Sequence, residues 1–352
     1  MATLYVASTE TFVGKSAICA VLLAQFRAQG LAVAYMKPVS VAATQTETGA
    51  LDQDAQLMRT LFNLPEAPEQ IAPILATTRV IEGVLHGDKP DFRAQLQAAY
   101  DAVADGKQMV VLEGANTWAE GALLDLSADQ VSDMLNAPVL LVTRFRTINA
   151  VDIITSVRRY LGQRLLGVVL NQVFPSQLDY VHGTVVPFLE RSQIPVIGVI
   201  PHEAQIEAPT VNEVAAHINA NVVSPGDQER LVENLSVGAM SAESALSFFR
   251  RKRNKAVVTG GDRSDIQIAA LETSTSCLIL TGNMHPPMTV LDRASRRNVA
   301  ILMTSDDTLT TIQRLESLIG HLRFGGAKHE RFQTLAAEHM DWERLNRSLG
   351  LT

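Results

Sequence analysis

The sequence offers little that points to a disulfide framework, a membrane or nucleic acid. It has two cysteines, Cys19 and Cys277, far apart and with no C-x-x-C pair, so neither a stapled scaffold nor a cysteine zinc site is indicated. No apolar run approaches the roughly 20 residues that span a bilayer. The first strand begins almost at Met1, with no basic and then apolar leader ahead of it. A soluble, cytoplasmic protein is expected. Charge is modest, with a net of −7, and the one basic run, Arg250 to Arg253, reads as a solvated helix end, so no nucleic-acid partner is expected. The eight histidines form no H-x-x-x-H or H-E-x-x-H pair, and there is no G-x-S-x-G elbow.

What is present is apolar and regular. The 352 residues are 47% hydrophobic, enough for two or three packed cores. Short apolar runs at Leu4–Ala7, Ala32–Met36, Met109–Leu112, Val139–Thr143, Leu165–Leu170 and Val196–Ile200 read as strands buried on both faces. Helix-length segments alternate with them: Ala17–Gln29, Ala55–Phe62, Lys89–Ala104, Ala128–Leu135, Ala150–Leu161 and Tyr180–Arg191. This alternation predicts an α/β fold with a parallel sheet and helices on both faces.

Pro and Gly punctuate Asn221–Asp227, and a second, smaller α/β unit is predicted after them. The expected domains are 1–222 and 223–352. The second has strands at Lys255–Thr259, Cys277–Thr281 and Val299–Met303. Its helices are expected at Ala242–Arg250, Ile266–Glu272, Met288–Arg296 and Thr308–Ile319, with a last helix at Lys328–Leu349.

The chemistry gathers around Ser8-Thr-Glu-Thr-Phe-Val-Gly-Lys-Ser16, between the first strand and the first helix. A phosphate loop reads G-x-x-x-x-G-K-[ST], and Thr9 stands where its first glycine falls. A strand-to-helix loop presents unpaired N–H groups and the positive end of the helix dipole. Gly14 would allow close approach of a phosphate, Lys15 would neutralise it and the Ser16 hydroxyl would ligate Mg²⁺.

Other polar residues sit at strand ends, where open α/β sheets bind ligands. Lys37 follows the second strand. Asp54 opens the next helix, as an N-cap or a metal ligand. Glu113 directly follows a buried strand, where a second Mg²⁺ ligand would sit. Asn171 ends another strand, to read a purine edge or to cap the loop, and Pro201 ends the last.

In this order, Ser8 to Ser16, Lys37-Pro-Val39, Asp54, Glu113-Gly-Ala115, Asn171 and Pro201 resemble the dethiobiotin synthetase family of P-loop proteins. That family's loop begins one residue earlier, so Ser8 replaces its first glycine. The resemblance implies MgATP binding. Thr11, Val13, Gly14, Lys15, Ser16, Asn171 and Pro201 would bind the nucleotide, with Lys15 on the phosphates and Asn171 facing adenine. Ser16, Asp54 and Glu113 would hold Mg²⁺, and Lys37 would reach a substrate carbamate, which that family phosphorylates before ring closure. A dimer is implied too. The sequence departs from the family at Asn116-Thr117-Trp118, after the Glu-Gly-Ala segment, and in the loop Ser40–Gly49.

In the second unit, Thr259-Gly-Gly-Asp-Arg-Ser-Asp265 reads first as a tight strand-to-helix turn with Asp262 and Arg263 paired and Asp265 capping the helix. The alternative is an anion or metabolite turn built from Gly260, Gly261, Asp262 and Arg263. The stretch resembles the DRTGG domain. The two domains together resemble the N-terminal, regulatory half of long bacterial phosphate acetyltransferases, and the chain ends where the acyl-transfer domain would begin. Three functions are therefore expected to compete. One is an MgATP-binding regulator or sensor, with a partner enzyme or small carboxylate metabolite. Another is an ATP-dependent synthetase or ligase acting on a carboxylate or carbamate, as in dethiobiotin or cobyrinate chemistry. The last is a metabolite-binding module with a degenerate loop.

Overall fold

The computed structural model describes residues 1–41, 44–46, 49–88, 90–316, 318 and 327–351. Lys89, Ile319 and part of the loop Ser40–Gly49 lie outside the described residues. The chain forms two compact units, Met1–His202 with Phe324–Thr352, and Glu203–Arg323.

The first unit is built on six parallel strands: β1 (Ala2–Ser8), β2 (Val33–Met36), β3 (Met109–Glu113), β4 (Val139–Arg144), β5 (Leu165–Val173) and β6 (Val196–Pro201). Their order is β6-β5-β4-β1-β3-β2. All nine residues of β5 and all five of β3 are buried, as their unbroken apolar runs require. The helices α1 (Lys15–Ala28), α2 (Gln53–Leu61), α3 (Phe92–Ala104), α4 (Ala128–Met134) and α5 (Asn149–Leu161) alternate with the strands. Leu96, Val103, Val131, Ile154 and Val157 of α3, α4 and α5 pack on Tyr5, Val110, Leu112, Val139 and Leu141. The apolar residues of α1 bury against the sheet through Ile18, Leu22 and Phe26.

The segment expected as one helix, Tyr180–Arg191, is interrupted. A π-turn, Val181–Val185, leads into α6 (Val186–Arg191). Pro187 has no N–H, and its ring would meet the carbonyl of Gly183 in a regular helix, so widening the turn relieves both problems.

The second unit contains α7 (Val211–His217), β7 (Asn221–Ser224), β8 (Asn234–Val237), α8 (Ala242–Phe249), β9 (Lys255–Gly260), α9 (Ser264–Leu271), β10 (Thr275–Thr281), α10 (Met288–Arg296), β11 (Ala300–Met303) and α11 (Thr308–Glu316). The sheet order is β7-β11-β10-β9-β8, with β7 antiparallel and the rest parallel. Residues alternate between faces. Val257, Leu278 and Leu280 pack under α8, α9 and α10, while Val258, Cys277 and Ile279 pack under α7 and α11.

The units divide differently from a junction at residue 222. Asn221–Ser224, rich in turn signals, is strand β7 of the second sheet. The tail is two helices, α12 (Ala327–His339) and α13 (Trp342–Leu349), and both belong to the first unit. Met340, between them, pairs with Gly198 on the outer edge of β6, and the Asp341 amide donates to Ile197 O at 2.7 Å. A side chain at Gly198 would meet His339 O and Met340 Cγ at 3.0 Å, so glycine allows this approach. Arg344 donates two hydrogen bonds to Glu190, at 2.6 and 2.8 Å, and Glu190 also accepts from the Val196 amide. The tail thereby covers a sheet edge that would otherwise present unpaired backbone groups.

Leu345 is fully buried in this contact. Leu345→Ala is expected to cost about 2–4 kcal/mol in the first unit. Hydrogen exchange should quicken across Val196–Pro201 and stay unchanged across Lys255–Gly260. Equal quickening of both segments would contradict this assignment of the tail.

Candidate functional site

The parallel register brings five strand ends, those of β1 to β5, into one row. Val6 pairs with Glu113, Met36 with Leu112, Ser8 with Val142, and Arg144 with Asn171. The loop after β1 therefore lies beside the carboxyl ends of β3, β4 and β5. Two loop residues are left-handed, Phe12 at φ 59° and Gly14 at φ 89°. Gly14 is the N-cap of α1 and offers no side-chain acceptor, so the first-turn N–H groups receive no side-chain cap.

The loop is pinned from behind. The Asn171 amide donates to Val13 O at 2.7 Å, and Arg144 donates to Phe12 O at 3.0 Å. Gln172, itself left-handed at φ 56°, lies close by, with Nε2 3.5 Å from Phe12 O. The Ser8 hydroxyl, where the family has glycine, donates to Asn116 O at 2.8 Å, and Ser8 O accepts from the Trp118 amide. The unusual Asn116–Trp118 segment is thus tied to the loop. Thr11 is exposed, whereas the Val13 side chain is buried in the core. Pro201 pairs with Val173 at the end of β5, near Asn171 and away from the charged cluster.

That cluster centres on Glu113, which is fully buried. Its Oε1 accepts from Lys15 Nζ at 2.7 Å and from Ser16 Oγ at 2.8 Å. Its Oε2 accepts from the Tyr35 hydroxyl at 2.8 Å. Burial alone would raise the pKa of this carboxyl, but the charges of Lys15 and Lys37 and the hydrogen bonds from Lys15 and Ser16 reverse the sign. The result is a fall from 4.5 to about 2.

Lys37 lies on the other side. Its ammonium is 2.8 Å from Asp52 and 3.2 Å from Asp54, with only 5% of the side chain exposed. Burial opposes its charge, yet Glu113, Asp54 and Asp52 together raise its pKa. Asp52, rather than Asp54, caps α2, accepting from the Ala55 amide at 2.8 Å, and it also accepts from the Ser40 hydroxyl. Asp54 is half exposed and reaches the cluster through Lys37.

Mg²⁺ prefers oxygen ligands. Glu113 and Ser16 supply a carboxylate and a hydroxyl already in mutual contact, and Asp54 offers a second carboxylate on the open side. This donor set fits the ion. Tyr35 and Asp52 carry no motif signal of their own in the sequence. Tyr35 lies in β2 two residues before Lys37, which follows the end of the strand. Asp52 and Asp54 compete for one cap, and sequence alone does not rank them.

The turn in the second unit uses its polar groups internally. Arg263 pairs with Asp265, at 3.1 Å through both Nε and Nη2, rather than with Asp262, and it also donates to Met240 O at 2.7 Å. Asp265 sits inside the first turn of α9 and makes no cap. A side chain at Gly261 would lie 2.2 Å from Met284 O, and the one at Gly260 would lie 2.4 Å from Asp262 Oδ1. The buried Gln267 donates to Gly260 O and Gly261 O at 3.0 and 3.1 Å. The backbone contact makes Gly261 a packing requirement, whereas a side chain at Gly260 would meet only the movable end of Asp262.

Because folding depresses the Glu113 pKa, the stability it contributes is present above its unfolded value and is lost as pH falls from about 4.5 through 2. Urea unfolding of the first unit should therefore weaken more steeply between pH 5 and pH 3 in wild type than in Glu113→Gln. Parallel pH profiles would show that Glu113 is not held ionised by the cluster.

Comparison with known proteins agrees with this geometry. Residues 2–210 match the AAA domain family, and residues 213–318 match the DRTGG domain. The chain is 25% identical over 347 residues to phosphate acetyltransferase of Synechocystis sp., covering 90% of this chain and 47% of that protein. It is 25% identical to the phosphate acetyltransferase of Nitrosomonas europaea, covering 99% of this chain and 52% of the relative. The chain thus spans about half the length of these relatives. It is also 26% identical over 213 residues to the ATP-dependent dethiobiotin synthetase of Xylella fastidiosa, covering 57% of this chain and 91% of that enzyme. The strand-loop-helix with Gly14-Lys15-Ser16, the acid ending β3 and the smaller α/β unit converge on one assignment: the chain belongs to the AAA domain family, as a dethiobiotin synthetase-like P-loop nucleotide-binding module joined to a DRTGG domain.

Proposed function

We propose that the first unit binds ATP with Mg²⁺ at the Ser8–Ser16 loop and that the protein serves as a nucleotide-responsive regulatory module. The observation that carries this reading is the meeting of Lys15 and Ser16, from the loop, with Glu113, from the neighbouring strand. A basic group, a hydroxyl and a carboxylate at one helix N-terminus are the parts needed to hold a phosphate chain and its cation. Ser16, Glu113 and Asp54 would hold Mg²⁺, which would neutralise phosphate charge. Lys15 would pair with the phosphates, and the amides of Val13, Gly14 and Lys15 would line them.

The regulatory reading is favoured over the synthetase reading by Lys37. A synthetase would need this ammonium for the second substrate, whereas here Asp52 and Asp54 both hold it and little of it is exposed. ATP is favoured as the nucleotide by the relatives named as ATP-dependent enzymes. The regulated activity, in this reading, is that of a partner enzyme or partner domain.

Thermal unfolding with Mg²⁺ and ATP, ADP or GTP tests the site. At a concentration ~100 times the dissociation constant, a ligand adds about 2.7 kcal/mol to the unit that binds it. The expected result is a clear rise with ATP or ADP in wild type and none in Lys15→Ala, whose circular dichroism should remain that of the folded protein. An equal rise in Lys15→Ala would place the nucleotide elsewhere.

A further inference from the structure

We propose that Tyr35 is the positioning residue of the metal side of this site: its hydroxyl holds Glu113 Oε2 in place while Oε1 passes from Lys15 to the divalent cation as nucleotide binds. The inference rests on the nucleotide reading above and deepens it.

Glu113 divides its two oxygens between different parts of the fold. Oε1 accepts from Lys15 at 2.7 Å and Ser16 at 2.8 Å, and both donors belong to the phosphate loop. Oε2 accepts from Tyr35 at 2.8 Å, and Tyr35 belongs to β2, on the far side of β3 from the loop. When nucleotide occupies the loop, Lys15 turns to phosphate and Ser16 to the cation, so both donors leave Oε1. The carboxylate then remains buried without its nearest positive charge. A buried charge of this kind is costly unless another cation replaces the one lost.

Lys37 is poorly placed to replace it, because Asp52 holds its ammonium at 2.8 Å and Asp54 at 3.2 Å. A divalent cation at Oε1 supplies the missing charge. Nucleotide and cation should therefore bind with positive coupling, each relieving a cost that the other creates.

Tyr35 makes this exchange orderly. It is fully buried, in register beside Val111 of β3, and its ring is fixed by packing. Its hydroxyl therefore presents a donor at a set position whichever partner Oε1 has. Without it, the carboxylate would be free to rotate when the loop donors leave, and the oxygen aimed at the cation would lose its direction. Partners that orient a metal ligand in this way commonly govern about ten- to a hundredfold in metal affinity.

The test is calorimetric titration with ADP, in EDTA and in excess Mg²⁺, for wild type, Tyr35→Phe and Glu113→Gln. Wild type should bind more tightly with Mg²⁺. Tyr35→Phe should match wild type in EDTA and lose about tenfold or more of its affinity in Mg²⁺. Glu113→Gln keeps the shape of the side chain but leaves Lys15 unpaired with a carboxylate. It should bind ADP at least as tightly as wild type in EDTA, with its Mg²⁺ dependence gone. A loss of affinity in Tyr35→Phe that is equal in EDTA and Mg²⁺ would make Tyr35 merely structural, and no change in either would dismiss it; both overturn the proposal. If Tyr35→Phe does not fold, Glu113→Gln decides alone: unchanged Mg²⁺ dependence overturns the proposal. Wild type that binds ADP in neither condition overturns the nucleotide reading itself, a result distinct from all of these.

Discussion

A carboxylate at the end of a fully buried strand has to be answered by positive charge and by donors, or it will not stay ionised there. Glu113 is answered by three elements. Lys15 and Ser16 come from the loop and helix after β1, Tyr35 from β2, and Lys37 adds its charge from just beyond β2. The arrangement of the site follows from this demand. Strands β1, β3 and β2 are neighbours in the sheet, and this order lets the three donors reach one carboxylate. Site and fold are in this sense one constraint: the carboxyl edge of the sheet is where the backbone turns, and the turns deliver the side chains.

Around that centre the molecule uses its remaining polar groups to keep the loop in shape. Asn171 and Arg144 take up the carbonyls of Val13 and Phe12. The Ser8 hydroxyl adds a tie of its own, donating to Asn116 O. On the other flank, Asp52 serves both as cap of α2 and as anchor of Lys37. That double use leaves the Lys37 side of the cluster paired with carboxylates, apart from the Lys15 and Ser16 side.

Much of this was legible in the sequence. The six strands of the first sheet announce themselves as unbroken apolar runs, because a parallel sheet covered on both faces has no polar side to alternate with. Glu113 stands out for the same reason, as a charge where such a run ends. Other features depended on information that is not local. The tail reads as a generic amphipathic helix, and nothing within it says that Met340 will pair with Gly198, some 140 residues earlier in the chain. The π-turn at Val181–Val185 follows from Pro187, but a helical periodicity conceals it. Asp52 and Asp54 are equally good caps by residue type, and the residue at which the helix begins decides between them: Asp52 is extended and accepts from the Ala55 amide, while Asp54 lies inside the first turn. Arg263 had two acidic neighbours, and the turn geometry chose Asp265. Tyr35 reads as one more aromatic residue in an apolar strand, and its bond to Glu113 depends on the pairing of two strands far apart in the sequence.

The central claim is that Glu113 exchanges its loop partners when a nucleotide arrives. A crystal structure of the protein with Mg²⁺ and ADP tests this most directly. The account predicts phosphate oxygens on the amides of Gly14 and Lys15, Lys15 Nζ turned away from Glu113 onto phosphate, and Tyr35 still bonded to Glu113 Oε2. Nucleotide bound elsewhere, or bound at the loop with the Lys15–Glu113 pair intact, would contradict it.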